Sequence, residues 1–148
     1  MSHRKSAATA IVIHDLEHAR AALAAAAAAG RRVTLVSAPG AAGYAGAPWF
    51  LKVVERAAAE HPAAEWDAVL DCADHAGHAL AGLRQGAAAV RFTGAKATAA
   101  KLAAIAEQSG ARVVGGRLRA LDLRGEADPW SACRCWIGRA RRGGTEDR

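Results

Sequence analysis

The sequence predicts an α/β fold: a five-stranded, mostly parallel sheet in a flavodoxin-like, three-layer arrangement, with a C-terminal segment wrapped over it. Three observations lead there. Short apolar runs alternate with longer helical stretches four times before a fifth run, the order expected of parallel strands joined by right-handed crossovers. Each run ends in polar or glycine residues, the turn chemistry of strands entering loops. At 148 residues and 52% hydrophobic, the chain is one domain's worth and needs no disulfide staples for its core.

The elements follow in order. Residues 1–8 are expected to form a disordered lead. Ala10–Ile13 is a compact strand, and Asp15 caps a helix from Leu16, with Glu17 favourably placed in its first turn. That helix is nearly pure alanine up to Gly30, a natural residue for ending it, and its large apolar groups are Leu16 and Leu23. Val33, Leu35 and Val36 mark a second strand, which opens into the glycine-rich loop Ser37–Gly46. Pro48 starts the next helix. In it Trp49, Phe50, Val53, Val54, Ala57 and Ala58 form the apolar stripe, so Trp49 and Val53 are expected against the sheet.

A third strand runs over Ala68–Leu70 and on towards Cys72. Asp71–His75 closes it and opens a helix through Leu80 and Leu83 to Gly86. Ala88–Phe92 is the fourth strand. A helix carrying Leu102 and Ile105 then leads to Gly110, and Val113-Val114 is the fifth strand. From Arg117 the alternation stops. Leu118, Leu121 and Leu123 suit an edge strand or a loop, and Pro129-Trp130 with Cys133–Ile137 make an apolar cluster. The expected organisation is an α/β domain over 9–116, a wrapping segment over 117–138 and a flexible tail over 139–148. The competing architecture is half of a (β/α)8 barrel, because GLRQGAAAVRFTG resembles the helix-turn-strand repeat of those barrels. So few units would need a dimer to close one.

Composition removes several function classes. The net charge of +6 divides into +2 over residues 1–8, +1 over 9–116 and +3 over 117–148, so the excess lies in the tails. A nucleic-acid-binding domain carries its charge on a structured face, and none is expected as a partner. Cys72, Cys133 and Cys135 are too few and unevenly placed for a disulfide framework. Ala7–Ile13 is short for a signal sequence and Ala24–Ala29 is far below spanning length, which gives a cytoplasmic expectation with no membrane partner.

Loops past the carboxyl ends of parallel strands are where ligands bind in open α/β sheets. The ligand-binding residues expected there are His14, Asp15, Ser37, Gly40, Gly43, Tyr44, Gly46, Asp71, Asp74, His75 and Thr93. The glycine loop suits a phosphate or other anion at the following helix N-terminus, or else Tyr44 packs over the sheet edge. Its glycine spacing is neither a Walker loop nor a dinucleotide fingerprint. Capping alone explains Asp15 and Asp74, and turn chemistry explains Thr93 beside Gly94. Ser37 is not in G-x-S-x-G, and the cluster Asp71, Cys72, Asp74, His75, His78 has no metal-ligand spacing. No cofactor, metal or catalytic residue is assigned.

HDLEHARAAL after AIVI, VLD at 69–71 and FTG at 92–94 resemble response-regulator receiver domains. That resemblance implies acidic residues, a phospho-acceptor Asp71 and Thr93 gathered around Mg²⁺. His14 stands where that family wants a second carboxylate, and VVGGR lacks the lysine after strand five, so the implied relative is a degenerate one. SAPGAAGYAGAPWF and VLDCADHAGHALAGLRQGAAAVRF are also similar to small uncharacterised bacterial α/β proteins over about residues 10–116, which implies the fold and no activity. The expected function is binding of a small molecule or anion without identifiable catalysis. The alternative is a homo-oligomerising interaction module, held together by the alanine-rich helices or by the Trp130/Trp136 segment.

Overall fold

The computed structural model describes residues 9–143. Six parallel strands form its sheet: β1 (Thr9–Ile13), β2 (Val33–Ser37), β3 (Trp66–Asp71), β4 (Ala89–Arg91), β5 (Arg112–Val114) and β6 (Ala120–Asp122). Their order is β5-β4-β3-β2-β1-β6, so β1 pairs with β2 on one side and β6 on the other. The five helices are α1 (Leu16–Ala29), α2 (Ala47–Glu60), α3 (Ala76–Arg84), α4 (Lys96–Gln108) and α5 (Pro129–Gly143). None of the described helices is long and apolar enough to cross a membrane.

The strand count corrects the expected five, and the sixth comes from the supposed wrapping segment. Leu121 and Leu123 alternate with Asp122, the period-2 pattern of a strand with one covered face. Residues 117–143 therefore continue the alternation as β6 and α5, and Leu123, Cys133 and Ile137 are fully buried in the core. The first residues of the expected tail, 139–143, belong to α5. Residues 144–148 and the expected lead over 1–8 lie outside the described residues.

α1 is the central helix. Asp15 caps it by accepting the His18 amide at 2.8 Å, and Gly30 ends it at φ +61°. Ala19, Ala22, Ala25 and Ala26 are buried, and these short side chains let α2 and α5 both pack on it. α2 buries Phe50, Val54 and Ala57, three positions along one stripe. Trp49 stands about 100° round the helix from Phe50 and is 43% exposed, which corrects the expectation that it packs on the sheet. Val53, at the edge of the same stripe, is half-buried.

Side chains alternate across the sheet, and the two faces differ. Ile11, Ile13, Leu35, Leu70, Val90 and Phe92 join a cluster to which all five helices contribute. Ala10, Val36, Val69 and Ala89 form a second cluster, flanked by Val12, Val114 and Ala120, and no helical residue enters it. The path from β5 to β6 constrains the sheet's shape. Val114 and Ala120 are six residues apart and lie on opposite edges. A flat sheet would separate those edge strands by about 24 Å, more than about 21 Å of fully extended chain can span. The sheet therefore curls, bringing its edges towards each other around the helix-free cluster.

Candidate functional site

On the helix-free face the apolar band lies between two polar rows. At the amino ends of the strands Asp67 accepts from Thr34 Oγ1 at 2.6 Å and pairs with Arg112. At the carboxyl ends stand Asp71, Arg91 and Asp122. Each lies beside a residue of the helix-side cluster (Leu70, Val90, and Leu121 with Leu123), and alternation turns it to the other face.

Asp71 is a hub, 3% exposed. Its Oδ1 accepts the amides of Gly40 at 3.1 Å and Ala73 at 2.9 Å, while its own amide donates to Ser37 Oγ at 2.8 Å. Oδ2 meets Arg91 Nη1 at 3.3 Å, the two residues being register partners on β3 and β4. Arg91 Nη2 donates to the Gly116 carbonyl at 2.7 Å, and Arg91 Nε is buried without a partner. One ion pair thus ties together β3, β4, the strand-two loop and the β5–β6 crossover. Ala73 is the one non-glycine residue with positive φ (50°) among the described residues. Its amide is held by Asp71, and its carbonyl accepts the Thr93 amide at 2.8 Å. Such strain persists where surrounding contacts over-determine the backbone.

The glycine loop is turned inward on itself. The Gly40 amide goes to Asp71, Ala41 donates to the Ala38 carbonyl, and Gly43 donates to that of Gly40. Tyr44, Ala45 and Gly46 all donate to the Ala41 carbonyl. These amides are spent within the chain. Its glycines have conformational and steric causes. Gly40 and Gly46 sit at φ +69° and +80°, and a Cβ on Gly43 would come within 2.9 Å of His78 Cε1. Tyr44 is 72% exposed and does not cover the sheet edge.

A second pair joins β1 and β6. His14 Nε2 lies 2.6 Å from Asp122 Oδ1, with their side chains 18% and 52% exposed. Partial burial works to raise the Asp122 carboxyl, but the Arg124 amide at 2.9 Å and His14 outweigh it and hold it below the ordinary aspartate range. An ionised Asp122 accepts the Nε2 hydrogen of His14. The His14 amide donates to His18 Nδ1 at 3.1 Å, which fixes the start of α1 beneath the pair.

The expected site residues therefore separate by role. Ser37 and Asp71 are interior, Gly40 is half-buried above Asp71, and His14 stands at the rim. Asp15 is a helix cap, and Gly43 and Gly46 shape the loop. Asp74, His75 and Thr93 are exposed, and neither Asp74 nor His75 contacts the Asp71 network. No group of three or more potential metal ligands occurs among the described residues. Cys72 and Cys133 are buried thiols pushed up to about 12, chiefly by burial and further by Asp71 and Glu126 respectively, and are unreactive at neutral pH. Arg91 and Asp122 were not foreseen as site residues. The available signals were an arginine interrupting AAAVRF and an aspartate alternating with leucines in ALDL. No protein-family model matches the chain, and no curated protein matches it.

Proposed function

We propose that the chain is a small-molecule-binding domain whose site lies at the carboxyl ends of the strands, on the face without helices. The observation that carries this is the His14–Asp122 pair: an ionised carboxylate orienting a histidine at a solvent-reachable rim, on adjacent parallel strands. A carboxylate and an imidazole side by side favour a small polar ligand that hydrogen-bonds to both. The anionic ligand suited to the glycine loop is not favoured, because the loop's donors are taken. No nucleophile stands in contact with the pair, and the reading includes no reaction.

The sheet's form supports this placement. Helices on one face only, with edges drawn together, favour a half-barrel-like layer over the three-layer flavodoxin-like alternative. In such barrels the carboxyl ends of the strands are the functional face. The degenerate-receiver reading is less favoured, because Asp71 is sealed by Gly40, Ala73 and Arg91. Homo-oligomerisation through the C-terminal segment is less favoured, although Trp130 stays 40% exposed. Cys133 and Ile137 are covered by the chain itself, and Trp136 Nε1 donates to the Ala10 carbonyl at 3.0 Å.

The test is a thermal-shift screen of polyols, amines and amides against the full chain. A ligand at a hundred times its Kd stabilises a single site by about 2.7 kcal/mol. Ligands that raise the melting temperature of the natural chain are expected to lose that effect in His14→Ala and Asp122→Asn. A rise equally large in both variants would move the site elsewhere, and a screen without any rise would sink the reading.

A further inference from the structure

A groove of about 430 Å³ runs between the last turns of α1 and the middle of α5, and so lies towards the amino ends of the strands, away from His14 and Asp122. Its floor is apolar, made of Ala25, Ala28, Ala29 and Ile137. Trp130 forms one wall, 40% exposed, with the Arg134 guanidinium 4.7 Å from the centre of its ring. Arg31 also lines the groove. Arg31, Arg134 and the neighbouring Arg139 have no carboxylate partner among the described residues. Arg31 is not needed to close the end of α1, because the amides of Gly30 and Arg31 already take the carbonyls of Ala27 and Ala26.

Gly138 adds an independent observation. It lies inside α5, where glycine is disfavoured relative to alanine. A Cβ there would meet nothing within 4 Å, and its φ is not positive, so neither packing within the chain nor backbone conformation requires a glycine. It borders the groove. The room it leaves is of use to something approaching from outside.

We propose that this groove binds a small amphipathic anion, an acidic head on an apolar body, with the apolar part over the alanine floor beside Gly138 and the head between Arg31 and Arg134. Its volume is in the range of small-molecule sites. A second copy is the poorer occupant, because a two-fold contact would face this arginine-bearing patch with the same arginine-bearing patch.

The experiment is isothermal titration of the full chain with octanoate, with octan-1-ol and inorganic phosphate as single-feature controls. Octanoate is expected to bind one site saturably and more weakly at high salt, with each control at least about tenfold weaker. Gly138→Leu places a side chain in the groove from a position where a Cβ meets nothing within 4 Å. It is expected to melt no lower than the natural chain and to lose at least about tenfold in octanoate affinity. Arg134→Gln is expected to weaken octanoate and leave octanol unchanged. Octanoate binding unchanged in Gly138→Leu, equal binding of octanol, or no octanoate binding would each overturn the proposal. So would a concentration-dependent dimer that Gly138→Leu abolishes, which would give the groove to a second copy.

Discussion

Two pairs of charged or ionisable side chains stand at the carboxyl ends of the strands, and burial makes them different objects. Asp71, its side chain 5% exposed, is sealed by the strand-two loop, while Arg91, 19% exposed and so no more buried than His14 at 18%, reaches from it to the β5–β6 crossover. His14–Asp122 makes a shorter contact, 2.6 Å against 3.3 Å, yet it lies at the rim. Distance alone would rank the second pair as the stronger. Desolvation reverses that for stability, because removing one partner inside leaves an uncompensated charge, while water replaces a partner lost at the rim. The difference between the pairs lies in their carboxylates, Asp71 interior and Asp122 half-exposed.

The comparison breaks most readily at Arg91. Arg91→Met should cost about 3–5 kcal/mol, the usual penalty for orphaning a buried charge, and urea unfolding would show it. Adding Asp71→Asn to that variant should recover part of the loss. If Arg91→Met costs no more than a surface change, the inner pair is not the tie described.

The same rule of burial applies to adjacent aromatics on α2. Phe50→Ala should cost about 3–5 kcal/mol, and Trp49→Ala less than about 1 kcal/mol. Equal losses in urea unfolding would mean that the exposed side of α2 is covered after all.

A smaller and opposite effect is expected at Ala73. Replacing it with glycine removes the penalty of φ 50° for a residue with a Cβ and should stabilise the chain by up to about 1 kcal/mol. A destabilised variant would show that the Ala73 side chain contributes more than its backbone costs.

The smallest effect is at the rim. Asp122→Asn should change stability by less than about 1 kcal/mol, as for exposed ion pairs. Its pH dependence sharpens the contrast. The folded-state carboxyl is held below its ordinary value, so its contribution is present above the unfolded pKa of about 3.9 and is lost as pH falls through the folded value. Melting curves of the natural chain and Asp122→Asn should therefore differ above the unfolded value and converge below about 4. Convergence already near neutrality would assign the effect to another group.

Much of the architecture follows from the sequence by itself, because it rests on local chemistry. The first five strands come from short apolar runs, the first four helices from periodicity and alanine, and the ends of α1 from Asp15 and Gly30. Each of those depends on neighbours within a turn or two. Even β6 was legible as alternation in ALDL, although its place beside β1 was not. The tertiary structure alone decided which polar groups meet. His14 and Asp122 are 108 residues apart, and their contact depends on β6 returning to the far side of β1. Asp71 becomes an interior tie and Tyr44 a solvent-facing one through the folding of a loop whose amides satisfy each other. Periodicity assigns a side chain to one face of its own element. Register between strands, the curl of the sheet and the burial that separates a structural ion pair from an accessible one are set by packing among elements distant in the chain.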